Sequence, residues 1–174
     1  ASPIRGSNHI DYITISTLSN SQDFGDLFTG TYNIAALSSR TRGIWAGGQS
    51  DPSTLHNSMQ YVTISSTGNG QDFGSLSSTP LQPAGLSNST RGIFAGGYAT
   101  PNVLNTIEFV TIATTGNTTD FGDLTGTRFD MTGSSNQTRG VICGGSAPGL
   151  TGIIDSLEIA STGNAVDFGD MDVP

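Results

Sequence analysis

The sequence contains no lysine. Its six basic residues are all arginine, set against fourteen Asp and Glu, for a net charge of −8. That balance, uninterrupted by any basic tract, opposes partnership with nucleic-acid phosphates or insertion at an anionic membrane. Charge of either sign is scarce, at 11% of residues, where an ordinary globular domain carries about 25%. Ser, Thr, Asn and Gly take its place. The single cysteine, Cys143, excludes an internal disulfide. No apolar run approaches the ~20 residues of a membrane-spanning helix. Catalytic phrases are missing too. The two histidines, His9 and His56, have no HExxH-like context, and no GxSxG phrase occurs. The acidic residues recur singly and are not set as the isolated pair a glycosidase needs. No His, Cys and acid cluster points to a metal or a cofactor. The expectation is a non-enzymatic chain with no cofactor and no metal site.

What the sequence does have is repetition, which points to a repeat architecture. "TRGIWAGG" at Thr41 returns as "TRGIFAGG" at Thr90 and "TRGVICGG" at Thr138. "DFG" occurs at Asp23, Asp72, Asp120 and Asp167, at spacings of 49, 48 and 47 residues. Between them lie "IDYITIS", "MQYVTIS", "IEFVTIA" and "IDSLEIA", starting at Ile10, Met59, Ile107 and Ile154. In all four copies the last Ile precedes the Asp of DFG by eight residues. Three of those spans hold Thr-Gly-Asn, ending at Asn69, Asn117 and Asn164; the first reads Leu18-Ser19-Asn20.

Each unit therefore carries four strand-length segments bounded by Gly, Pro, Asn or Ser. The segments alternate with period two: Ile44 and Ala46 face one way and Trp45 the other. No stretch has useful helical periodicity. The reading is all-β, with four antiparallel strands per unit of about 48 residues.

A double glycine closing one strand, a variable loop, an aromatic-bearing strand and a further aromatic, repeated at this period, resemble a kelch-type β-propeller blade. "RGIWAGG" would be strand b, "YVTIS" strand c, the DFG segment strand d, and the "AALSS" type of segment strand a. The pairs Gly47 and Gly48, Gly96 and Gly97, and Gly144 and Gly145 match well. Phe24, Phe73, Phe121 and Phe168 stand where kelch blades usually carry tryptophan, so the likeness is kelch-like. The fuller pattern, RGxxxGG with TIxSTGNxxDFGDL, is similar to repeat-bearing tail-fibre and virion structural proteins of tailed bacteriophages of the marine cyanobacterial type. The resemblance implies a virion or extracellular setting. It also implies fibre or virion subunits as partners, homo-oligomerisation, and a host surface glycan or protein receptor.

The blade reading divides the chain into a half blade at 1–29 (strands c and d only) and blades at 30–79, 80–126 and 127–174, a partial propeller of three and a half blades. Because propellers usually close with four to eight blades, the mid-blade start favours a segment of a longer chain. The alternative is two copies sharing one seven-bladed ring. Ala46, Ala95 and Cys143 occupy one slot of strand b, which makes Cys143 a small buried hydrophobe. Arg42, Arg91 and Arg139, one per unit, are expected to pair with the repeated Asp23, Asp72, Asp120 and Asp167 within or between blades. The double glycines permit positive φ or close approach. Thr-Gly-Asn supplies the turn between strands c and d.

Binding is expected where the repeats differ. The b–c loops vary freely, and so do the d–a segments; variable polar loops on a rigid scaffold are the usual home of binding. Candidate contacts are Arg5, Asp51, His56, Tyr98 and Asn102. The functional expectation is a non-catalytic binding module of a phage appendage. The alternatives are a purely structural subunit-contact protein or a generic kelch-like interaction module.

Overall fold

A computed structural model describes residues 6–50 and 53–172, and the described residues form strands and turns without helix. An opening pair, β1 (Ser7–Tyr12) and β2 (Gln22–Thr31), is antiparallel. The first repeat sheet runs β3 (Ala35–Ser38), β4 (Arg42–Ala46), β7 (Ser58–Thr63) and β8 (Gln71–Ser75). A short hairpin, β5 (Gln49–Ser50) and β6 (Thr54–Leu55), lies between β4 and β7. The second sheet is β9 (Ala84–Ser87), β10 (Arg91–Ala99), β11 (Asn102–Thr111) and β12 (Thr119–Asp123). The third is β13 (Thr132–Ser135), β14 (Arg139–Cys143), β15 (Ile153–Glu158) and β16 (Val166–Asp170). In all three sheets neighbours in space are neighbours in sequence, the simplest antiparallel order.

The sheets stack face to rear. Ala35, Leu37, Ile44, Ala46, Met59, Phe73 and Leu76 on the rear of the first sheet pack against Phe94, Val110 and Ile112 on the front of the second. The second sheet's rear meets Ile142, Leu157, Ile159 and Ala165 of the third in the same way. Period-two alternation therefore serves two cores at once: Ile93 and Ala95 point into one, Phe94 into the other.

Exposure along each equivalent row measures what covers it. The last Ile of the strand-c phrase is 96% exposed at Ile15, 46% at Ile64, 1% at Ile112 and 0% at Ile159. Ile64 is half covered because only the opening pair stands before it. The DFG phenylalanine runs the other way, 9%, 1% and 3% at Phe24, Phe73 and Phe121 but 58% at Phe168. Cys143 shares this fate. It occupies the slot of Ala46 and Ala95, yet it is half-buried where they are buried, because no described sheet covers the third sheet's rear. The expectation of a buried thiol is corrected accordingly.

Successive sheets are joined by a clip. The Thr-Gly-Asn connection before each of the last three DFG strands reaches back to the DFG strand of the sheet in front. Gly68, Gly116 and Gly163 donate their amides to the carbonyls of Phe24, Phe73 and Phe121 at 2.7, 2.6 and 2.7 Å. The Oδ1 atoms of Asn69, Asn117 and Asn164 accept the amides of Asp26, Ser75 and Asp123 at 3.1, 3.0 and 3.1 Å. The DFG glycine makes room: a Cβ on Gly25, Gly74 or Gly122 would stand 2.3–2.5 Å from the connecting glycine's backbone. The tight turn between the two strands comes just before this phrase, where the Ser66, Thr114 and Ser161 amides donate to the Thr63, Thr111 and Glu158 carbonyls. The repeated Thr-Gly-Asn is therefore not the turn expected of it but the connection that follows the turn, and it serves as an inter-sheet hook.

A second tie uses a β-bulge that recurs at one place in every strand-c to strand-d pair, at Met59/Gln60, Ile107/Glu108 and Ile154/Asp155 in the three sheets. The residue after the irregular step is polar, buried and turned to the front. Gln60, Glu108 and Asp155 each accept an amide of the preceding unit, from Phe28, Ser77 and Thr125 at 2.6, 3.1 and 3.1 Å. At the first strands the sheets close up. A Cβ on Gly85 would meet the Ala36 carbonyl at 2.6 Å, and one on Gly133 the Gly85 carbonyl at 2.7 Å. Ser87 and Ser135 bond the carbonyls of Ser38 and Ser87, both at 2.7 Å.

Overpacking separates the covered slot from the uncovered one. Ala46→Leu should lower stability by about 1–3 kcal/mol in thermal unfolding followed by circular dichroism. Cys143→Leu, at the uncovered equivalent, should leave the melting temperature nearly unchanged.

Candidate binding face

The loops that the sequence marks as variable are tied to one another. In every sheet the segment leading into the first strand pairs with the segment leaving the second. Tyr32 and Gln49, Leu81 and Tyr98, and Phe129 and Ser146 exchange amide and carbonyl bonds, at 2.9–3.3 Å. The double glycines sit between these segments. The Gly48 and Gly97 amides donate to the carbonyls of Pro80 and Arg128 in the next unit, at 3.0 and 2.8 Å. A Cβ on Gly48 would stand 2.6 Å from the Tyr32 carbonyl of its own unit. Both glycines of each pair have positive φ, so backbone conformation and close approach together exclude a side chain here.

Of the candidate contacts, Arg5 and Asp51 lie outside the described residues. His56 is half-buried and its Nε2 lies 2.8 Å from Ser50 Oγ, which fixes the ring beside the small β5–β6 hairpin. Tyr98 is half-buried with its ring 6.0 Å from that of Phe129. Asn102 is exposed at the start of β11. The middle b–c segment is thus a regular hairpin extension of β10 and β11, with Tyr98 facing Val103 and Ala99 facing Asn102. The structure brings Tyr98 to the linked loops and leaves His56 and Asn102 on separate units.

A row that sequence reasoning missed lies on the same segments. Asn33, Gln82 and Asp130 take equivalent places, directly after Tyr32, Leu81 and Phe129, and have φ of 59°, 53° and 61°. They are the only non-glycine residues with positive φ among the described residues. Left-handed backbone is costly for a side-chain-bearing residue, and its recurrence marks a position that the surroundings enforce. What enforces it is a relay: the Gln82 amide donates to the Asn33 carbonyl at 2.9 Å, and the Asp130 amide to the Gln82 carbonyl at 3.1 Å. These three residues, with Ile34, Pro83 and Met131, line a cavity of about 210 Å³. The available signal was weak, a polar residue after an apolar one in segments that otherwise share little.

A second concavity, about 290 Å³, opens at the third sheet beside Arg139, Ser156, Glu158 and the Thr162–Gly163–Asn164 connection. It corresponds to a smaller hollow of about 210 Å³ in the second sheet, where Phe109 stands in place of Ser156.

The repeated arginines do not pair with the DFG aspartates. Asp23, Asp72, Asp120 and Asp167 are exposed, and no ion pair among the described residues includes them. Arg42 and Arg91 instead donate from Nη1 to the carbonyls of Ile112 and Ile159 in the next sheet, at 2.8 and 2.7 Å. Their guanidinium carbons lie 4.3 and 4.2 Å from the ring centres of Tyr61 and Phe109. The planar fork suits this stacked, carbonyl-bonded role. Arg139 has Ser156 where the others have an aromatic ring, and only an exposed Glu158 carboxylate at 3.6 Å. The buried ion pair lies elsewhere. Arg128 bonds Asp155 and the carbonyls of Gly144 and Ile153, at 3.1 and 3.0 Å from those carbonyls.

Among the described residues no group of three His, Cys, Asp or Glu side chains gathers to hold a metal ion. No protein-family model matches the sequence, and no curated protein matches it.

The two kinds of arginine separate in the melt. Arg91→Ala removes a charged donor to a carbonyl and a stacked cation, and should cost about 1–3 kcal/mol. Arg139→Ala, on the exposed flank, should change the melting temperature by no more than a surface substitution does.

Proposed function

We propose that this chain is a non-catalytic binding module, built as consecutive blades of a kelch-like β-propeller, that engages a host surface glycan through its linked b–c and d–a segments. The observation that carries the reading is the Asn33, Gln82 and Asp130 row. Three polar side chains are held by strained, relayed backbone around one polar hollow. Amide and carboxylate groups are suited to bonding the hydroxyls of a carbohydrate, and a scaffold tied sheet to sheet presents them without ordering cost on binding. The close approach of the first strands at Ala36, Gly85 and Gly133, and the plain antiparallel order of every sheet, support the propeller reading. Sequence resemblance supplies the setting, a tail fibre or similar virion appendage outside the cell, with other appendage subunits as neighbours. The acidic, lysine-free composition favours glycan or protein over nucleic acid.

The test is binding of the chain to purified cell-envelope polysaccharides of cyanobacterial hosts, read by calorimetry. Gln82→Gly and Asp130→Gly remove the side chains while suiting the positive φ, so the fold should be unharmed or stabilised. Each should weaken binding at least tenfold. Unchanged affinity in both variants would remove the row from the site. Binding to none of the polysaccharides would leave the structural-subunit reading in its place.

A further inference from the structure

We propose that the third sheet's rear is a docking socket for the front of a second copy of this chain, so that copies associate head to tail. The proposal is independent of the glycan reading. The interface in question is one the chain already makes internally, front upon rear, each time a sheet follows another. Both of its halves are left over. The front of the opening pair exposes Ile13 and Ile15, whose equivalents Val62, Val110 and Leu157, and Ile112 and Ile159, are buried. The third sheet's rear exposes Phe168, whose equivalents are buried, and leaves Val141 and Ile154 half-covered where Ile44, Ile93, Met59 and Ile107 are fully buried.

The clip's receptor is left over as well. At Gly25, Gly74 and Gly122 the space for a Cβ is filled by the next connection; at Gly169, with the same backbone (φ +137°), nothing lies within 4 Å. A second copy brings the connection Leu18-Ser19-Asn20. Its Asn20 supplies the Oδ1 acceptor for the Asp170 amide, and the Ser19 amide is the donor for the Phe168 carbonyl. Serine in place of glycine meets no neighbour, since a Cβ on Gly68 or Gly163 would find nothing within 4 Å, but their φ of +156° and +153° is a strained backbone for a side-chain-bearing residue and weakens this copy of the hook. Arg139 then has the acceptor that Arg42 and Arg91 find in the following sheet, here the Ile15 carbonyl of the second copy. Such a front-on-rear contact is heterologous, so the rotation it imposes decides the assembly: a half turn closes a ring of two copies, and any other rotation gives a larger ring or a filament.

Sedimentation equilibrium over a wide concentration range tests this with the chain itself. Expected is a mass that rises from 17.9 kDa to twice that value or a higher multiple. Ile15→Asp and Phe168→Ser, both at exposed positions, should each abolish the rise, and Ser19→Gly should shift it to several-fold lower concentration. The two blocked variants retain opposite faces, so an equimolar mixture should form a 1:1 dimer and go no further. A chain that stays monomeric throughout, association that survives both substitutions, or a mixture that fails to dimerise would each overturn the proposal.

Discussion

The structure depends on one contact, the reach of each exposed connection back onto the strand of the preceding sheet. It consists of an amide of Gly68, Gly116 or Gly163 on a phenylalanine carbonyl, and an asparagine oxygen on the amide two residues further along. Each bond is worth roughly 0.5–1.5 kcal/mol net, so their weight lies in direction more than in strength. Apolar faces alone would tolerate sliding, because burial is non-directional. The hook fixes where the next sheet sits, and through that it fixes which side chains share a core.

Once the stacking is fixed, other features follow from it. The arginine of one sheet falls beneath a carbonyl of the next, where its fork can bond and its plane can stack. The polar residue beyond the bulge, itself buried, is carried to an amide of the preceding unit and so is spared burial without a partner, a costly state. The glycine pairs are pinched between the entering segments of two units, and those segments line up so that Asn33, Gln82 and Asp130 come into one relay. A variable surface is thereby mounted on an invariant frame. The hooks themselves are backbone bonds and asparagine side chains and need no ions; charge enters the frame at a few repeated places, Arg42 and Arg91 on carbonyls and Glu108 and Asp155 on amides.

Much of this was legible in the sequence. Alternation in "GIWAGG" and "MQYVTIS" separates the two faces, and the fixed distance from the last Ile to DFG sets the strand-c to strand-d pairing. The DFG and Thr-Gly-Asn phrases stood out as constant, but their mutual contact did not, because the partners lie about 43 residues apart and in different units. The same distance hid the arginine's acceptor: a repeated cation and a repeated anion suggest a pair, whereas Ile112 and Ile159 contribute only backbone. Cys143 misled for another reason. Its slot is a buried one, and only the missing cover behind the third sheet leaves it half-exposed. The Asn33, Gln82 and Asp130 row was faint because asparagine and aspartate only favour the left-handed region without requiring it, and glutamine gives no such sign.

The most direct measurement is native-state hydrogen exchange of the hook amides, in chain dilute enough to be monomeric. Gly68, Gly116 and Gly163 all lie in exposed connections outside the strands, so burial would not protect them. The account predicts that all three exchange slowly, while the amide of Ser19, the equivalent residue of the first connection, exchanges near the rate of an open chain. Exchange at Gly116 and Gly163 as fast as at Ser19 would mean that the hook does not hold the sheets, and the account would fail.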